Sequence, residues 1–480
     1  MFRLIFCSIL VCSCLSACTS WLDQEPVDTL LTEEAFQTPD DLEAALTGVY
    51  HLVKGEDLAG RNWLLFADLM GGNAVFPSGD FKEFSDLQIS VYNPRVEALW
   101  STSYQAINQL NQILGSIDKA GLAYPGFSEE QQRQMEGEAL FLRGLIYYML
   151  VQYFASPYSI ETANAPGVPL MIDPVLEVGE ISFPARASLQ AVYDQVWVDL
   201  ENATPLLSTG PTYGIPGQLT AKALMTRTAF QQQDYETAGQ LAEEVTGGWS
   251  KLTDNPQDVF REEGSSEEIW FPVASASNPN FAGLNWAYGE ALVSTNLVEN
   301  GYQQLLTPSQ QLALQQEGYL AIDLRGPSTL MNGDPLLSEN YQYCLKYEDP
   351  ELGDDAPVFR LAEFMLIQAE TATRSGEYEQ GVALLNQVRR RSFRVVDSLG
   401  NQIPNAGFYV EFDAAQLSEA EILEAIARER RVELAFEGHY FFDLLRRREE
   451  VAPGINWDNP RAALANSATR NRYQPQSGTK

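Results

Sequence analysis

At 480 residues, with 45% hydrophobic and 11% aromatic side chains, the chain has the composition of a folded globular protein able to bury a large core. Its formal charge of -34 sets up a field that repels nucleic acid and anionic membrane surfaces, so no nucleic-acid partner is expected. Only two histidines occur, His51 and His439, which excludes histidine-rich metal sites and leaves a Ser-His-Asp triad few options.

The N-terminus carries one cation, Arg3, then an apolar run from Leu4 to Leu15. That run is shorter than the roughly 20 residues a bilayer-spanning helix needs, but it suits a signal-peptide core. Leu15-Ser16-Ala17-Cys18 resembles a bacterial lipobox, in which Cys18 is lipidated and becomes the first residue of the mature chain. Residues 1–17 are therefore read as a lipoprotein signal peptide, and the expected membrane attachment is a lipid anchor. Residues 18–40 read as the lipidated cysteine and an acidic tether with a first short helix. Three other cysteines lie in the leader, leaving Cys344 as the single internal thiol. It cannot form an internal disulfide and is read as a small buried hydrophobe.

Helical spacing dominates the rest of the chain. Thr38 or Asp40 is placed to cap a helix over Asp41–Val53, where Leu42, Ala45, Leu46 and Val49 repeat. Periodicity fades from Lys54 to Pro94, where Gly, Asn, Pro and aromatics gather; a stretch of that length without clear periodicity is usually functional or mobile. It returns over 96–117, 129–154 and 189–207. Gly217–Val245 and Ala356–Val388 echo one another: Tyr235 matches Tyr378, Leu241 matches Leu384 and Val245 matches Val388, each segment reading as helix, turn, helix. The echo is similar to a tetratricopeptide-type hairpin, a unit that buries its apolar face only by stacking. The expected fold is mainly α: stacked tetratricopeptide-like helix pairs with a loop-rich ligand-binding face. A single domain over 41–480 is expected, with a helical scaffold at 41–248 and 356–450 and a loop-rich insertion at 249–355.

Late in the chain, ARERRVELAFEGHYFFDLLRR (427–447) is helical in spacing, yet its stripes start apolar and then take on charge. Ile422 and Ile426 lead to Glu429 and Glu433, and Leu423 and Ala427 lead to Arg430. Arg and Glu on a core-facing stripe must be paired. An Arg/Glu network locking the last helical pair is expected, with Gly438 as the turn between helices and His439 at a helix C-terminus, where a cation is favoured.

No GxSxG, HExxH or GxxxxGK[ST] pattern occurs, and no carboxylate pair is singled out for glycosidase chemistry. Catalytic residues, a metal and a cofactor are not expected. Glu348–Pro357 lacks the spacing of an EF-hand and reads as a solvated acidic loop. Two stretches instead set aromatics among polar side chains, the combination a sugar needs: C–H faces stack on rings while hydroxyls pair with amides and carboxylates. One is Ala67–Phe84, with Asp68, Asn73, Phe76 and Phe81. The other contains Asn280, Phe281, Asn285, Trp286 and Tyr288, of which Trp286 and Tyr288 are the leading candidates.

These pieces together resemble the SusD/RagB family of surface nutrient-binding lipoproteins of Bacteroidetes. The resemblance rests on the lipobox, LWSTSYQAINQLNQIL (99–114), GEALFLRGLIYYMLVQYFASP (137–157), PARASLQAVYDQVWVDLENATPLL (184–207), the two hairpins and ERRVELAFEGHYFFDLLRR, in the family's order. The ending RNRYQPQSGTK departs from the family's usual proline-rich close. The resemblance implies a right-handed helical stack and outer-membrane, cell-surface localisation. It also implies a SusC-like TonB-dependent transporter as partner, and an oligosaccharide as ligand, or a peptide in the RagB-like branch. Family members place ligand contacts in loops of the two aromatic regions. By contrast, Trp100, Trp197 and Trp270 lie in helical or family-patterned stretches and are assigned to the core. An acid/base glycoside hydrolase is the distant alternative.

Overall fold

The computed structural model describes residues 36, 38–120, 126–175, 184–210, 214–248, 251–261, 267–270, 288, 290–301, 312, 314–325, 330–332, 342–344, 346–347, 358–399, 401 and 411–449. The leader, Cys18, most of the tether and the acidic stretch 348–357 lie outside these residues.

Helix starts follow from side-chain caps. Thr38, rather than Asp40, opens α1 (Pro39–Lys54): its hydroxyl accepts the Asp41 N–H while the Asp41 carboxylate accepts the Thr38 N–H. The chain continues through α2 (Asn62–Gly71), β1 (Ala74–Val75), α3 (Lys82–Ser85), α4 (Pro94–Ala120), α5 (Glu129–Phe154), α6 (Leu189–Ala203), α7 (Gln218–Gln231) and α8 (Tyr235–Gly247). Then come α9 (Asp258–Arg261), β2 (Glu268–Trp270), β3 (Leu292–Val293), α10 (Thr295–Asn300), β4 (Tyr319–Asp323), β5 (Leu330–Asn332), β6 (Gln342–Cys344) and β7 (Phe359–Arg360). The last elements are α11 (Leu361–Arg374), α12 (Tyr378–Ser392), β8 (Phe393–Asp397), α13 (Glu419–Glu433) and α14 (Tyr440–Arg447). Helix α6 stops four residues short of the expected Leu207. Thr204 keeps helical backbone (φ -52°, ψ -50°), and its N–H and hydroxyl both donate to the Leu200 carbonyl, but Pro205 has no N–H with which to continue the ladder.

The helices stack in sequence, α4 on α5, α5 on α6, α6 on α7 and α7 on α8. The stack then skips the loop-rich block, because α8 packs directly on α11, which in turn meets α12 and α13. The two echoing hairpins, far apart in sequence, are therefore neighbours. Small residues permit the approach: a side chain at Gly239 of α8 would place its Cβ 3.1 Å from the Thr371 hydroxyl of α11. The hairpin turns also correspond, since Gln233 (φ 62°) and Gly376 (φ 85°) both take left-handed backbone.

Strands are short. β1, β3, β6 and β5 form an antiparallel four-stranded sheet in that order, and β2 pairs with β7. β8 continues straight from α12 and pairs antiparallel with β4, Tyr319 opposite Asp397 and Asp323 opposite Phe393. One core cluster runs from Leu42 to Leu445 and includes Tyr288, Leu297, Cys344 and Tyr347, so residues of the loop-rich block share the scaffold's core. Trp100 and Trp270 are buried in it, and Trp197 packs half-buried against it. Cys344 is buried, and burial pushes its thiol up to about 12. It behaves as an apolar side chain.

Candidate ligand-binding face

Helix α2, NWLLFADLMG, is buried on every side. It ends at Gly72, whose φ of 74° turns the chain sharply into Asn73 and β1. β1 pairs antiparallel with β3, Ala74 opposite Val293 and Val75 opposite Leu292. Ser294 fastens the junction: its N–H donates to the Asn73 carbonyl at 2.9 Å and its hydroxyl to the Gly72 carbonyl at 2.6 Å. The same hydroxyl accepts from the Leu297 N–H and so caps α10. The residues just after Tyr288 are thus paired, at β1, with the first of the two aromatic-and-polar stretches.

Asp68 sits beneath this junction, fully buried. Its carboxylate accepts from Asn73 Nδ2 (2.9 Å), the Tyr288 hydroxyl (2.8 Å) and the N–H groups of Phe436 and Gly438 (3.2 Å each). Burial raises its pKa to about 6, and the four hydrogen bonds limit the rise.

This arrangement corrects the expected ligand contacts. Asp68 and Asn73 are fully buried, and Asn73 Oδ1 accepts from Arg431 at 3.0 Å. Tyr288 is fully buried, stacked on Tyr347 at 5.4 Å and edge-on to Phe436 at 5.5 Å. Phe76 and Phe81 are buried against one another at 5.1 Å, with the Arg61 and Arg95 guanidiniums 5.2 and 5.1 Å from the Phe81 ring. Asp68 and Asn73 are spent on buried hydrogen bonds, and for Phe76, Phe81 and Tyr288 the large rings are the means by which the loop segments grip the helical scaffold. These five side chains shape the face from below and do not present themselves to a ligand. Asn280, Phe281, Asn285 and Trp286 lie outside the described residues.

Tyr92, absent from the sequence expectations, is 77% exposed and is the one aromatic among the exposed large hydrophobics of the described residues. It belongs to the same loop system. Ser90 N–H and Asn93 Nδ2 both donate to Glu83 Oε2 at 2.8 Å, and Asn93 Nδ2 also reaches the Asp80 carbonyl. Its sequence signal is position: a tyrosine just before Asn93-Pro94, where a helix starts and a side chain points outward. Val75 of β1 is also exposed, at 43%.

Behind the face lies the charged helical pair. Glu433 receives Arg360 at 2.7 Å, Arg325 at 2.9 Å and Arg391. Glu437 binds Lys346 and Arg360, each at 2.6 Å, and Arg430 joins α13 to α14 through Asp443 at 2.8 Å. All these groups are buried, and the surrounding cations hold Glu433 well below the usual carboxylate range despite its desolvation. Gly438 is the turn, with φ 76°. His439, however, stands at the N-terminus of α14, not at a helix C-terminus. Burial and the neighbouring cations Arg227 and Arg430 keep its pKa well below the ordinary value, so it is neutral. The cavity beside it, about 40 Å³, is far too small for a sugar ring. Among the described residues no group of three or more His, Cys, Asp or Glu is placed to hold a metal. No described helix is long and apolar enough to cross a membrane.

Residues 20–229 match a SusD-like family model described as starch-binding, associating with outer membrane, and residues 346–478 match the model of the SusD family. The chain belongs to the SusD/RagB family. Two SusD-like proteins of Formosa agariphila are 23% and 24% identical to it, over 88% and 91% of this chain and 87% and 88% of theirs. A SusD superfamily protein of Bacteroides fragilis superposes with a TM-score of 0.70 at 24% identity, over 86% of this chain and 91% of that one. A SusD-like carbohydrate binding protein of Bacteroides vulgatus gives 0.67 at 20% identity, over 87% and 85%. The mainly helical SusD-family member described here therefore shares its stacked, tetratricopeptide-like architecture with solved SusD structures.

Proposed function

We propose that this SusD-family member is a non-catalytic, lipid-anchored protein of the cell surface that captures an oligosaccharide and delivers it to a SusC-like TonB-dependent transporter. The observation that supports the reading is the β1–β3 junction, which pairs the first aromatic-and-polar stretch with the residues that follow Tyr288. Trp286, with Phe281, Asn280, Asn285 and the exposed Tyr92, supplies the stacking platform and polar rim in this reading. The acidic chain is suited to a neutral ligand. Cys18 carries the lipid, and the single domain begins after the tether.

Four measurements test it. The chain from Thr19, without the lipidated cysteine, applied to glycan arrays and to peptide pools, should bind oligosaccharide; binding only to peptide assigns it to the RagB-like alternative. Overnight incubation with bound oligosaccharides should leave them intact, and cleavage would restore the hydrolase. Metabolic labelling with palmitate should be lost in Cys18→Ser, and transporter co-purification from membranes should accompany the wild type.

A further inference from the structure

Between β1 and α4 the chain closes on itself around one carboxylate. Helix α3 ends at Leu87, whose φ of 54° is a left-handed conformation that an L side chain holds only where its surroundings impose it. Leu87 is buried, and the Gln88 N–H donates back to the Glu83 carbonyl at 2.9 Å, so the chain reverses there. The reversal returns Ser90 and Asn93 to the Glu83 side chain, whose Oε2 accepts from the Ser90 N–H and from Asn93 Nδ2. Tyr92 lies between these two anchors. Its N–H donates to Ser90 Oγ at 3.2 Å, while no hydrogen bond or ring contact to a described residue holds the ring itself.

Capping of α4 does not require Glu83. Asn93 performs it alone, its Oδ1 accepting from the N–H groups of Arg95 at 2.9 Å and Val96 at 3.4 Å. Nor does Glu83 neutralise the cations of this loop: Lys82 is bonded to Asp86 at 2.5 Å, and Arg95 faces Asp80 at 3.8 Å. Its two bonds fall instead on the residues that flank Tyr92. Helix α3 is in turn tied to the β1–β3 junction, because the N–H of Phe76, the residue after β1, donates to Ser85 Oγ at 2.9 Å. A continuous run of bonds thus sets the Tyr92 backbone relative to that junction.

We propose that Glu83 is a positioning residue for oligosaccharide capture: through Ser90 and Asn93 it fixes the backbone that carries Tyr92, so the exposed ring meets a sugar's C–H face on a support already ordered. The inference rests on the reading of Tyr92 as part of the stacking platform. Glu83 does not touch the sugar. An aromatic anchored in advance spares binding the cost of ordering it, and freeing it should weaken binding about three- to tenfold.

Two measurements separate the positioning role from the platform. In hydrogen exchange of the ligand-free chain from Thr19, the amides of residues 90–93 should exchange several-fold faster in Glu83→Ala. In Glu83→Gln, which keeps an acceptor oxygen, they should exchange at the wild-type rate, with α4 protected in both variants. Unaltered exchange in Glu83→Ala overturns the positioning role whatever the chain binds. The second measurement is calorimetry with the oligosaccharide bound most tightly on the glycan array. Glu83→Ala should bind about three- to tenfold more weakly and Glu83→Gln as the wild type, and Glu83→Ala should add no loss to that of Tyr92→Ala. Equal losses in the presence and absence of the Tyr92 ring, or a Glu83→Gln as weak as Glu83→Ala, overturn the proposal, since either makes Glu83 act without Tyr92 or through its charge. Faster exchange in Glu83→Ala combined with wild-type affinity in Tyr92→Ala would instead strike Tyr92 from the platform, and the role of Glu83 in capture with it.

Discussion

The Tyr288 hydroxyl donates to Asp68 Oδ2 at 2.8 Å, a bond between residues 220 positions apart that ties the loop-rich block to the most enclosed helix of the scaffold. Tyr288→Phe should lower stability by about 1–3 kcal/mol, because a buried carboxylate loses a donor. Tyr288→Ala removes the ring as well and should cost about 3–5 kcal/mol. Urea unfolding measures both. A Tyr288→Ala protein as stable as the wild type but unable to bind glycan would return Tyr288 to the ligand surface.

Removing one member of the buried network strands the others. Arg430→Ala leaves Asp443 without its 2.8 Å partner, and Glu433→Gln deprives three guanidiniums of a shared counter-charge. Each should destabilise by about 3–5 kcal/mol, seen as a large drop in the thermal midpoint. Ligand affinity of the folded fraction should stay unchanged. A stable variant that has lost binding would place the network in the site.

Two glycines with left-handed backbone should respond unequally to alanine. At Gly376 (φ 85°) nothing lies near the added Cβ, so Gly376→Ala should cost only the backbone penalty of about 1–2 kcal/mol. At Gly438 (φ 76°) the Cβ would sit 2.9 Å from Leu64 Cα and the Trp63 carbonyl oxygen, both main-chain atoms that cannot step aside. Gly438→Ala should lose clearly more stability, and equal unfolding midpoints for the two variants would contradict the close packing of α2 on the α13–α14 turn.

Acid should act in two opposed stages. Glu370, bonded by Arg446, has its pKa lowered to about 2, so its stabilisation is present above pH 4.5 and is lost as the pH falls toward 2. Asp68 is raised from 3.8 to about 6, so the folded state binds its proton first, and stability from this group rises as the pH falls from about 6 toward 3.8. Urea midpoints should therefore hold or rise on mild acidification and collapse below it. In Asp68→Asn the rise should vanish while the acid collapse remains.

The helical stack was legible because it rests on local signals. Period 3.6, the Thr38 cap and the echo at a spacing of 143 residues foretold α1, α4, α5 and both hairpins. The charged helix was legible for a related reason, since Glu429, Arg430 and Glu433 occupy positions where Ile422, Leu423 and Ile426 had marked the buried stripe. His439 was misplaced because Gly438 stands in the turn between Glu433, where α13 ends, and Tyr440, where α14 starts, and one sequence cannot say to which side the histidine belongs. The ligand face was legible by region and not by residue. Composition picked out two stretches, but it cannot distinguish an aromatic that faces solvent, Tyr92, from those that plug into the scaffold, Phe76, Phe81 and Tyr288. For Tyr288 that distinction depends on Asp68, 220 residues away, and for Phe76 and Phe81 on the three-dimensional path of the irregular segment that sets their rings against one another and between Arg61 and Arg95.

The central claim, capture of oligosaccharide by the joined loops, is tested most directly by isothermal titration of an array-selected oligosaccharide into the wild type and Trp286→Ala. The account predicts that Trp286→Ala loses measurable binding while its thermal midpoint stays at the wild-type value, with Tyr92→Ala weakened in the same direction. Unchanged affinity in Trp286→Ala would contradict it.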